Sequence, residues 1–113
     1  MKTLIIIPTL NESENIENLI YKIQRLHKNA YILVVDDNSN DGTLDILYKL
    51  KKKLKNLRII CRKKNKGIGS AHLCGIRYAY KNNYKICITM DADGTHNPNN
   101  IKKMLKLVKF KNF

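Results

Sequence analysis

Four short apolar runs alternate along the chain with longer segments whose apolar residues are more widely spaced. The runs are Thr3–Ile7, Tyr31–Val35, Leu57–Cys61 and Ile86–Met90. Apolar runs of this length are typical of strands that a sheet buries on both faces. Apolar residues at intervals of three and four in the intervening segments predict amphipathic helices. The alternation therefore predicts an α/β protein with a parallel, Rossmann-like sheet, helices on both faces and right-handed crossovers.

Four segments carry the helical spacing. Their predicted core-facing residues are Ile16, Leu19, Ile20, Ile23 and Leu26; Leu44, Leu47, Leu50 and Leu54; Ala71, Cys74, Gly75, Tyr78 and Ala79; and Ile101, Met104, Leu105 and Val108. Asn11 and Glu14 have the spacing of a capping pair before the first helix. Asn97-Pro98 marks the start of the last predicted helix, with Pro98 at its first position, and the core-facing part of this helix is predicted over Ile101–Val108. His72 is expected in a solvated or capping position in the first turn of the third helix.

Polar, loop-forming residues follow each predicted strand. They are Pro8–Glu12, Asp36–Asp37, Arg62–Gly69 and Asp91–Thr95. The carboxyl ends of parallel strands share one edge of the sheet, and ligands of such folds bind at this edge. The sequence therefore predicts a single polar site built from four separated pieces of chain.

The segment after the fourth strand carries the clearest chemistry. In extended backbone, Asp91 and Asp93 project to the same side. Two converging carboxylates repel each other unless a cation lies between them. Hard oxygen ligands suit Mg²⁺ or Mn²⁺, which usually arrive with substrate phosphates. The pattern favours a metal–diphosphate site, although Asp-Gly after a strand is also ordinary turn chemistry.

Size and charge determine which partners are expected. The chain has 113 residues, which we assign to one domain over 1–113. Its 22 Lys and Arg residues against nine acidic ones give a formal net charge of +13, which attracts polyanions. We expect an anionic membrane surface as partner and no nucleic acid, because no aromatic residues interleave the Lys runs. Neither an apolar run of about 18 residues nor a secretory signal pattern is present.

The cysteines and glycines carry weaker signals. The cysteines are Cys61, Cys74 and Cys87. Because they form no C-x-x-C pair, we expect reduced thiols in the cytosol and no zinc site. Gly67 and Gly69 suit the close approach of an anion to a helix start. They do not complete a dinucleotide fingerprint, because His72 takes the place of its last glycine.

The four polar segments together are similar to a known family. IIIPTLNESENI, ILVVDDNSNDGT, KNKGIGSAHLCGI and ITMDADGTHNP, in this order, resemble family 2 glycosyltransferases with the GT-A fold. Within that family the likeness is greatest to dolichol-phosphate (polyprenol-phosphate) mannosyltransferases. The resemblance covers nearly the whole chain, and it implies the N-terminal half of a GT-A fold with strand order 3-2-1-4.

The resemblance also implies roles for individual residues. The nucleotide of the sugar donor would be contacted by Pro8, Leu10 and Glu12, and its base and ribose region would be held by Val35 and Asp37. The diphosphate and the metal would be met by Asp91, Ala92 and Asp93. The metal would also be held by Thr95. Asp91 and Asp93 would be the catalytic residues. Leu10 departs from the family, because an aromatic residue is usual there.

The implied reaction transfers a hexose from a nucleotide sugar to a polyprenyl or dolichyl phosphate with inversion, with mannose from GDP-mannose as the expected donor. The enzyme would be cytoplasmic and peripheral at the cytoplasmic face of a membrane. Family catalytic domains continue well beyond the metal motif, so we expect a donor-binding half that is truncated or completed by a second polypeptide. The fourth strand would then form an unpaired edge. The isolated chain is accordingly expected to be marginally stable, to self-associate and to transfer no sugar unaided.

Two other functions are consistent with parts of the pattern. Phospho-receiver domains show a segment like Val34–Asp37 at their first strand. Here it follows the second strand, and too little chain follows residue 31 to complete that fold. The other alternative is a truncated module that binds a nucleotide without catalysis, which a hexose-transfer assay would distinguish from an active enzyme.

Overall fold

A five-stranded sheet forms the centre of the part of the chain that the structure describes. The computed structural model describes residues 2–64, 67–92 and 106–109. Its strands are β1 (Thr3–Thr9), β2 (Tyr31–Asp36), β3 (Leu57–Cys61), β4 (Ile86–Thr89) and β5 (Lys106–Lys109). They lie in the order β3-β2-β1-β4-β5, with the first four strands parallel and β5 antiparallel to β4. The predicted parallel sheet and its order 3-2-1-4 are therefore confirmed.

Helices cover both faces of this sheet, as predicted. They are α1 (Ile16–Leu26), α2 (Thr43–Lys53) and α3 (Ile68–Lys81). On one face, α1 and α2 bury residues that include Ile20, Ile23 and Leu47. On the other face, α3 packs on strand residues that include Ile6 and Val35. We call these the α1/α2 face and the α3 face. In the described ranges, no helix is long and apolar enough to cross a membrane.

The structure changes the predicted start of the first helix. β1 continues through Pro8 to Thr9, whose carbonyl still accepts a backbone hydrogen bond from the residue after β2. The predicted capping pair of Asn11 and Glu14 is wrong, because α1 begins after Asn15 and no side chain caps it. Asn11 has a positive φ of 56° and belongs to a turn instead of a helix cap.

The C-terminal helix predicted over Ile101–Val108 is wrong where the structure describes that segment. Lys106–Lys109 forms β5, in which Val108 lies opposite Cys87 of β4. Residues 93–105 lie outside the described residues. Pairing with β5 satisfies backbone groups that β4 would otherwise leave open. β4 is therefore an internal strand, and the expectation of an unpaired β4 edge is wrong. The self-association that we expected from this edge loses its structural basis.

Burial distinguishes the three cysteines, which are all free thiols. Cys87 lies buried in β4, and the loss of solvent raises the pKa of its thiol to about 11. This thiol is therefore protonated at neutral pH and a poor nucleophile. Cys61 and Cys74 are partly exposed.

Close packing of α3 on the sheet depends on Gly75. A Cβ atom at this position would lie 2.4 Å from Cγ2 of Ile6, which is fully buried in β1. Gly75→Ala should therefore displace α3 from the sheet and lower the free energy of unfolding by about 1–3 kcal/mol. Urea denaturation followed by circular dichroism measures this loss.

Gly69 offers a matched control in the same helix. A Cβ atom there would meet no heavy atom within 4 Å. Gly69→Ala should leave the free energy of unfolding unchanged or raise it by up to about 1 kcal/mol through helix propensity. If both substitutions had the same effect, steric packing at Gly75 would not be its cause.

Candidate functional site

The carboxyl ends of the four parallel strands lie at one edge of the sheet, and backbone hydrogen bonds join the segments that follow them. The Asp37 N–H donates to the Thr9 carbonyl (3.0 Å), which joins the ends of β1 and β2. The Met90 N–H donates to the Ile6 carbonyl (3.0 Å), which joins β4 to β1. The structure thus brings together the described parts of the four predicted polar segments.

Alternation along β2 separates its two acidic residues. Val34 packs on the α1/α2 face and Val35 on the α3 face. Successive residues of a strand point to opposite faces, so Asp36 belongs to the first face and Asp37 to the second. The two neighbouring carboxylates therefore serve different parts of the structure.

Asp36 holds the loop after β2 in place. It is fully buried, and its Oδ1 accepts hydrogen bonds from the hydroxyls of Thr9 (2.6 Å) and Ser39 (2.7 Å). Its Oδ2 accepts a hydrogen bond from the Ser39 N–H (2.8 Å). These contacts compensate the burial of a charged group. Asp36 is therefore a structural residue under the site, joining β1 to the turn after β2.

Asp37 links β2 to the start of α3. Its Oδ1 forms an ion pair with Arg62, with distances of 2.6 Å to Nη2 and 2.7 Å to Nε. Its Oδ2 accepts a hydrogen bond from the N–H of Gly67, the N-cap of α3 (2.8 Å). Arg62 in turn donates to the Ser70 hydroxyl (2.6 Å) and the Gly67 carbonyl (3.2 Å). The network fixes the glycine-containing start of α3 beside the edge of the sheet.

The loop after β1 is held against the start of α2. The Asn11 N–H donates to Ser39 Oγ (2.8 Å), and Asn11 Oδ1 accepts a hydrogen bond from the Asn40 N–H (3.0 Å). The Glu12 N–H donates to Thr43 Oγ1 (2.9 Å). These hydrogen bonds explain the left-handed conformation of Asn11, which orients both its backbone and its side chain towards the loop after β2.

Asp41 completes this contact. Its carboxylate accepts hydrogen bonds from the N–H groups of Ser13 (3.1 Å) and Thr43 (3.0 Å), and from the Thr43 hydroxyl. The Thr43 hydroxyl, together with these other donors, holds the pKa of Asp41 well below its usual range. The carboxylate therefore stays ionised down to strongly acidic pH. It lies just before α2.

Asp91 follows β4 on the α3 side of the edge. Its side chain is 52% exposed, and its Oδ1 lies 3.8 Å from Nε2 of His72. His72 lies in the second turn of α3 and is partly buried, with 24% of its side chain exposed, so the expected solvated or capping position in the first turn is wrong. Two carboxylates therefore flank the start of α3. Asp37 accepts a hydrogen bond from Gly67, and Asp91 lies close to His72.

The donor set fits a hard divalent cation in part. The exposed carboxylate of Asp91 is a ligand that Mg²⁺ or Mn²⁺ prefers. Asp93 and Thr95, the other predicted ligands, lie outside the described residues. Among the residues that are described, no three His, Cys, Asp or Glu side chains are grouped as a complete metal site would require.

The structure places the other predicted site residues at different depths. Pro8 and Val35 lie opposite each other in the β1–β2 register, and Val35 is fully buried beneath the surface. Glu12 is half-buried, whereas Leu10 is 54% exposed at the position where the family usually has an aromatic residue. Ala92 is buried in the core of the α1/α2 face, away from the α3 side of the edge.

Sequence reasoning missed the residues that hold the site in shape. Thr9 and Ser39 bind the buried carboxylate of Asp36, and Arg62 binds that of Asp37. One signal was available for Arg62: it follows β3 directly, and the end of the neighbouring strand β2 is acidic. No comparable signal identifies Thr9 or Ser39, because both are ordinary loop residues until the β1–β2 register is known.

The fold and the polar edge place this chain among the parallel α/β proteins whose ligands bind at the carboxyl ends of the strands. The family model described as Glycosyl transferase family 2 matches residues 4–113. The chain therefore belongs to glycosyltransferase family 2, as its motifs indicated.

Curated relatives support the same membership. The chain is 32% identical over 109 residues to Undecaprenyl-phosphate mannosyltransferase of Micrococcus luteus, and 34% identical over 110 residues to Polyprenol monophosphomannose synthase of Mycolicibacterium smegmatis. These alignments cover 96% and 95% of this chain, but 45% and 41% of the relatives. The UDP-N-acetylglucosamine–dolichyl-phosphate N-acetylglucosaminyltransferase of Methanococcus voltae is 35% identical over 114 residues, covering 90% of this chain and 45% of that protein. The chain thus spans less than half the length of these relatives.

Solved structures share the fold. S. aureus TarS in complex with UDP-GlcNAc superposes with a TM-score of 0.71 and 28% identity, covering 91% of this chain and 30% of that one. The mannosyltransferase PcManGT from Pyrobaculum calidifontis, in complex with GDP-Man and Mn²⁺, superposes with a TM-score of 0.62 and 25% identity. That match covers 80% of this chain and 27% of PcManGT. The predicted GT-A architecture is therefore confirmed for the sheet and its helices.

Proposed function

We propose that this chain is the nucleotide-sugar-binding domain, over residues 1–113, of a glycosyltransferase that transfers a hexose to a polyprenyl or dolichyl phosphate with inversion. One observation carries the proposal. In a family 2 member similar to polyprenol-phosphate mannosyltransferases, Asp37 and Asp91 flank the same helix start on one side of the sheet edge. That arrangement provides neighbouring positions for the two ends of a nucleotide diphosphate.

Each part of the edge would have a distinct role. Pro8 and Val35 would form the apolar floor on the α3 face, and the network of Asp37 and Arg62 would hold the base and ribose region above it. Leu10 and Glu12 would cover the nucleotide from the loop after β1. Leu10 supplies apolar contact but no ring for the base to stack on, so we expect weaker base binding than an aromatic residue would give.

The diphosphate would bind at the other end, beside β4. Asp91, Asp93 and Thr95 would hold Mg²⁺ or Mn²⁺, with Ala92 fixing the backbone between the two carboxylates. A divalent ion held there would supply Lewis-acid neutralisation of the leaving diphosphate, a contribution worth several kcal/mol. PcManGT, which shares the fold, binds Mn²⁺ together with GDP-Man.

The acceptor oxygen needs no activation by a base in this scheme. A polyprenyl phosphate oxygen is already anionic, so it can attack the sugar carbon directly while the nucleoside diphosphate leaves from the opposite side. We propose that the enzyme acts at the cytoplasmic face of a membrane, where such an acceptor is held. Because the chain spans less than half of its relatives, we also propose that further chain, on this or a second polypeptide, contributes to the acceptor side.

The proposal also names the nucleotide sugar that serves as donor. We favour GDP-mannose, because the relatives from Micrococcus luteus and Mycolicibacterium smegmatis are named for mannose transfer. UDP-GlcNAc is the second candidate, since the Methanococcus voltae relative is named for its transfer and TarS binds it.

Calorimetric titration of the chain with GDP and with UDP, each in the presence of Mn²⁺, tests nucleotide binding and identifies the base. We expect GDP to bind more tightly, and we expect chelation of the metal to weaken binding sharply, because Asp91 would hold the ion that neutralises the diphosphate. ATP with Mn²⁺ is the control, and it should bind weakly. Absence of binding to both GDP and UDP, or binding that is indifferent to chelation, would contradict the proposal.

A transfer assay separates catalysis from binding alone. The chain is incubated with GDP-mannose, Mn²⁺ and polyprenyl phosphate, and the mannolipid is quantified. We expect nucleotide binding without turnover by the 113-residue chain, and turnover once the acceptor side is supplied. Binding without turnover even by a longer protein that contains this chain would favour a non-catalytic nucleotide-binding module.

A further inference from the structure

The net positive charge of the chain comes from one stretch of its sequence. Residues 46–90 contain 13 Lys and Arg residues and no Asp or Glu. The rest of the chain contains nine basic and nine acidic residues. The whole formal net charge of +13 therefore belongs to residues 46–90. A general bias towards Lys in the composition would not leave the remainder electrically balanced.

The fold divides this stretch between the two faces of the sheet. It comprises most of α2 on the α1/α2 face, the edge strand β3, and all of α3 on the α3 face. A groove of about 560 Å³ runs along α3 on the α3 face. Its lining includes Arg62, Lys64, Leu73, Arg77, Tyr78 and Lys81. We call this the basic groove.

The basic groove combines cationic and apolar side chains. Arg77 and Lys81 are exposed one turn apart on α3, and Lys64 is exposed near the start of that helix. Leu73 lies one turn before Arg77, and it is 52% exposed. Among the described residues that line the groove, none is acidic. An exposed apolar side chain among cations is typical of surfaces that enter the headgroup region of a bilayer, where the cations meet lipid phosphates.

The aromatic residue of the groove is not available for stacking on bases. The Tyr78 ring stacks on the ring of Tyr84, with 6.3 Å between centroids, and Tyr84 is buried. Proteins that bind single-stranded nucleic acids present such rings to the bases. The groove therefore fits an anionic surface with an apolar layer better than it fits a nucleic acid.

We propose that the basic groove is the surface through which this protein meets an anionic phospholipid bilayer. Arg77, Lys81 and Lys64 contact headgroup phosphates, and Leu73 enters the boundary of the acyl chains. The choice of a bilayer rests on the proposed polyprenyl-phosphate acceptor, whereas the position of the surface rests on the charge distribution and the groove. Arg62 lines the groove and also binds Asp37, so the bilayer lies next to the nucleotide end of the site.

Vesicle sedimentation tests this proposal without nucleotide or metal. The chain is mixed with vesicles of phosphatidylcholine alone, or of phosphatidylcholine with phosphatidylglycerol. We expect binding to the anionic vesicles only, weakening as salt is added. Arg77→Gln with Lys81→Gln should weaken binding about 30-fold, because each basic residue near an anionic surface contributes roughly a factor of five. Leu73→Ser should weaken it further.

Arg25→Gln with Lys28→Gln provides the matched control. It also removes one exposed Arg and one exposed Lys near the end of a helix, but on the electrically balanced part of the chain. We expect this pair to change vesicle binding less than fivefold. Equal losses of vesicle binding for both pairs of substitutions would overturn the proposal. So would the absence of binding to anionic vesicles. In either case the basic residues would only protect the edge strand β3 from association with other chains.

Two further measurements separate this proposal from others. An RNA oligonucleotide that bound more tightly than the vesicles and responded to the same variants would also overturn it. Calorimetric binding of GDP and UDP should be unchanged in the Arg77→Gln, Lys81→Gln variant. Loss of vesicle binding with intact nucleotide binding supports the groove, whereas absence of nucleotide binding from the unmodified chain counts only against the proposed transferase function.

Discussion

Replacing Asp36 with alanine is expected to lower the free energy of unfolding by about 3–5 kcal/mol, a large part of what a domain of this size possesses. The fully buried carboxylate accepts three hydrogen bonds, two of them from Ser39 and one from Thr9. Its removal leaves buried donors without acceptors and opens a cavity beneath the loop after β2. Urea denaturation of the variant and the unmodified chain measures the loss.

Asn40→Ala is the control for this substitution, since it changes an exposed side chain of the same loop and leaves the Asn40 N–H able to donate to Asn11. We expect its free energy of unfolding to change by less than about 0.5 kcal/mol. If Asp36→Ala cost no more than Asn40→Ala, Asp36 would not have the structural role assigned to it. Its carboxylate would then be a candidate for direct contact with ligand.

Replacing Asp91 with asparagine is expected to weaken Mn²⁺-dependent nucleotide binding about 100-fold. A metal held by Asp91 would supply several kcal/mol to the diphosphate complex, and each 1.36 kcal/mol corresponds to a factor of ten. The substitution keeps the size of the side chain but removes the charge that would hold the ion. Asp93→Ala should produce a similar loss if both carboxylates share the metal. Calorimetry with GDP and with UDP measures both variants.

Asp45→Asn tests whether any lost carboxylate has the same effect. Asp45 is exposed in the first turn of α2, on the opposite face of the sheet from Asp91. Its substitution should leave nucleotide affinity unchanged within a factor of two to three. An Asp91→Asn variant that retained affinity within tenfold of the unmodified chain would refute the metal assignment. So would a loss that was the same with and without chelator.

Local pattern determined the elements of this fold. The strands β2, β3 and β4 and the helices α1, α2 and α3 fall where the apolar spacing predicts them, because residues that pack on one face recur at fixed intervals along the chain. Gly75, one of the predicted core-facing residues of α3, lies against Ile6 of the sheet. The order 3-2-1-4 came from the family motifs, since spacing alone does not say which strands are neighbours.

Apolar spacing and capping patterns did not predict contacts between residues that are far apart in the sequence. Val108 fits a helical spacing with Ile101, Met104 and Leu105, but the backbone of Lys106–Lys109 pairs with β4, about 20 residues earlier in the chain. The capping pattern at Asn11 and Glu14 was likewise overridden, because Asn11 hydrogen-bonds to Ser39 and Asn40. In both cases a tertiary contact decided the local structure.

The candidate site likewise combines features that the sequence predicted with features that only the tertiary structure decided. The sequence by itself determined that four polar segments would meet at one edge, that the chain carries the motifs of family 2 glycosyltransferases, and that its positive charge lies within residues 46–90. Only the tertiary structure decided that Asp36 supports the loop, that Asp37 binds Arg62 and that His72 lies beside Asp91. The physical reason is register: Thr9 and Asp36 are 27 residues apart, and Asp37 and Arg62 are 25 apart. Such partners meet only when neighbouring strands align, and that alignment depends on the packing of the whole sheet.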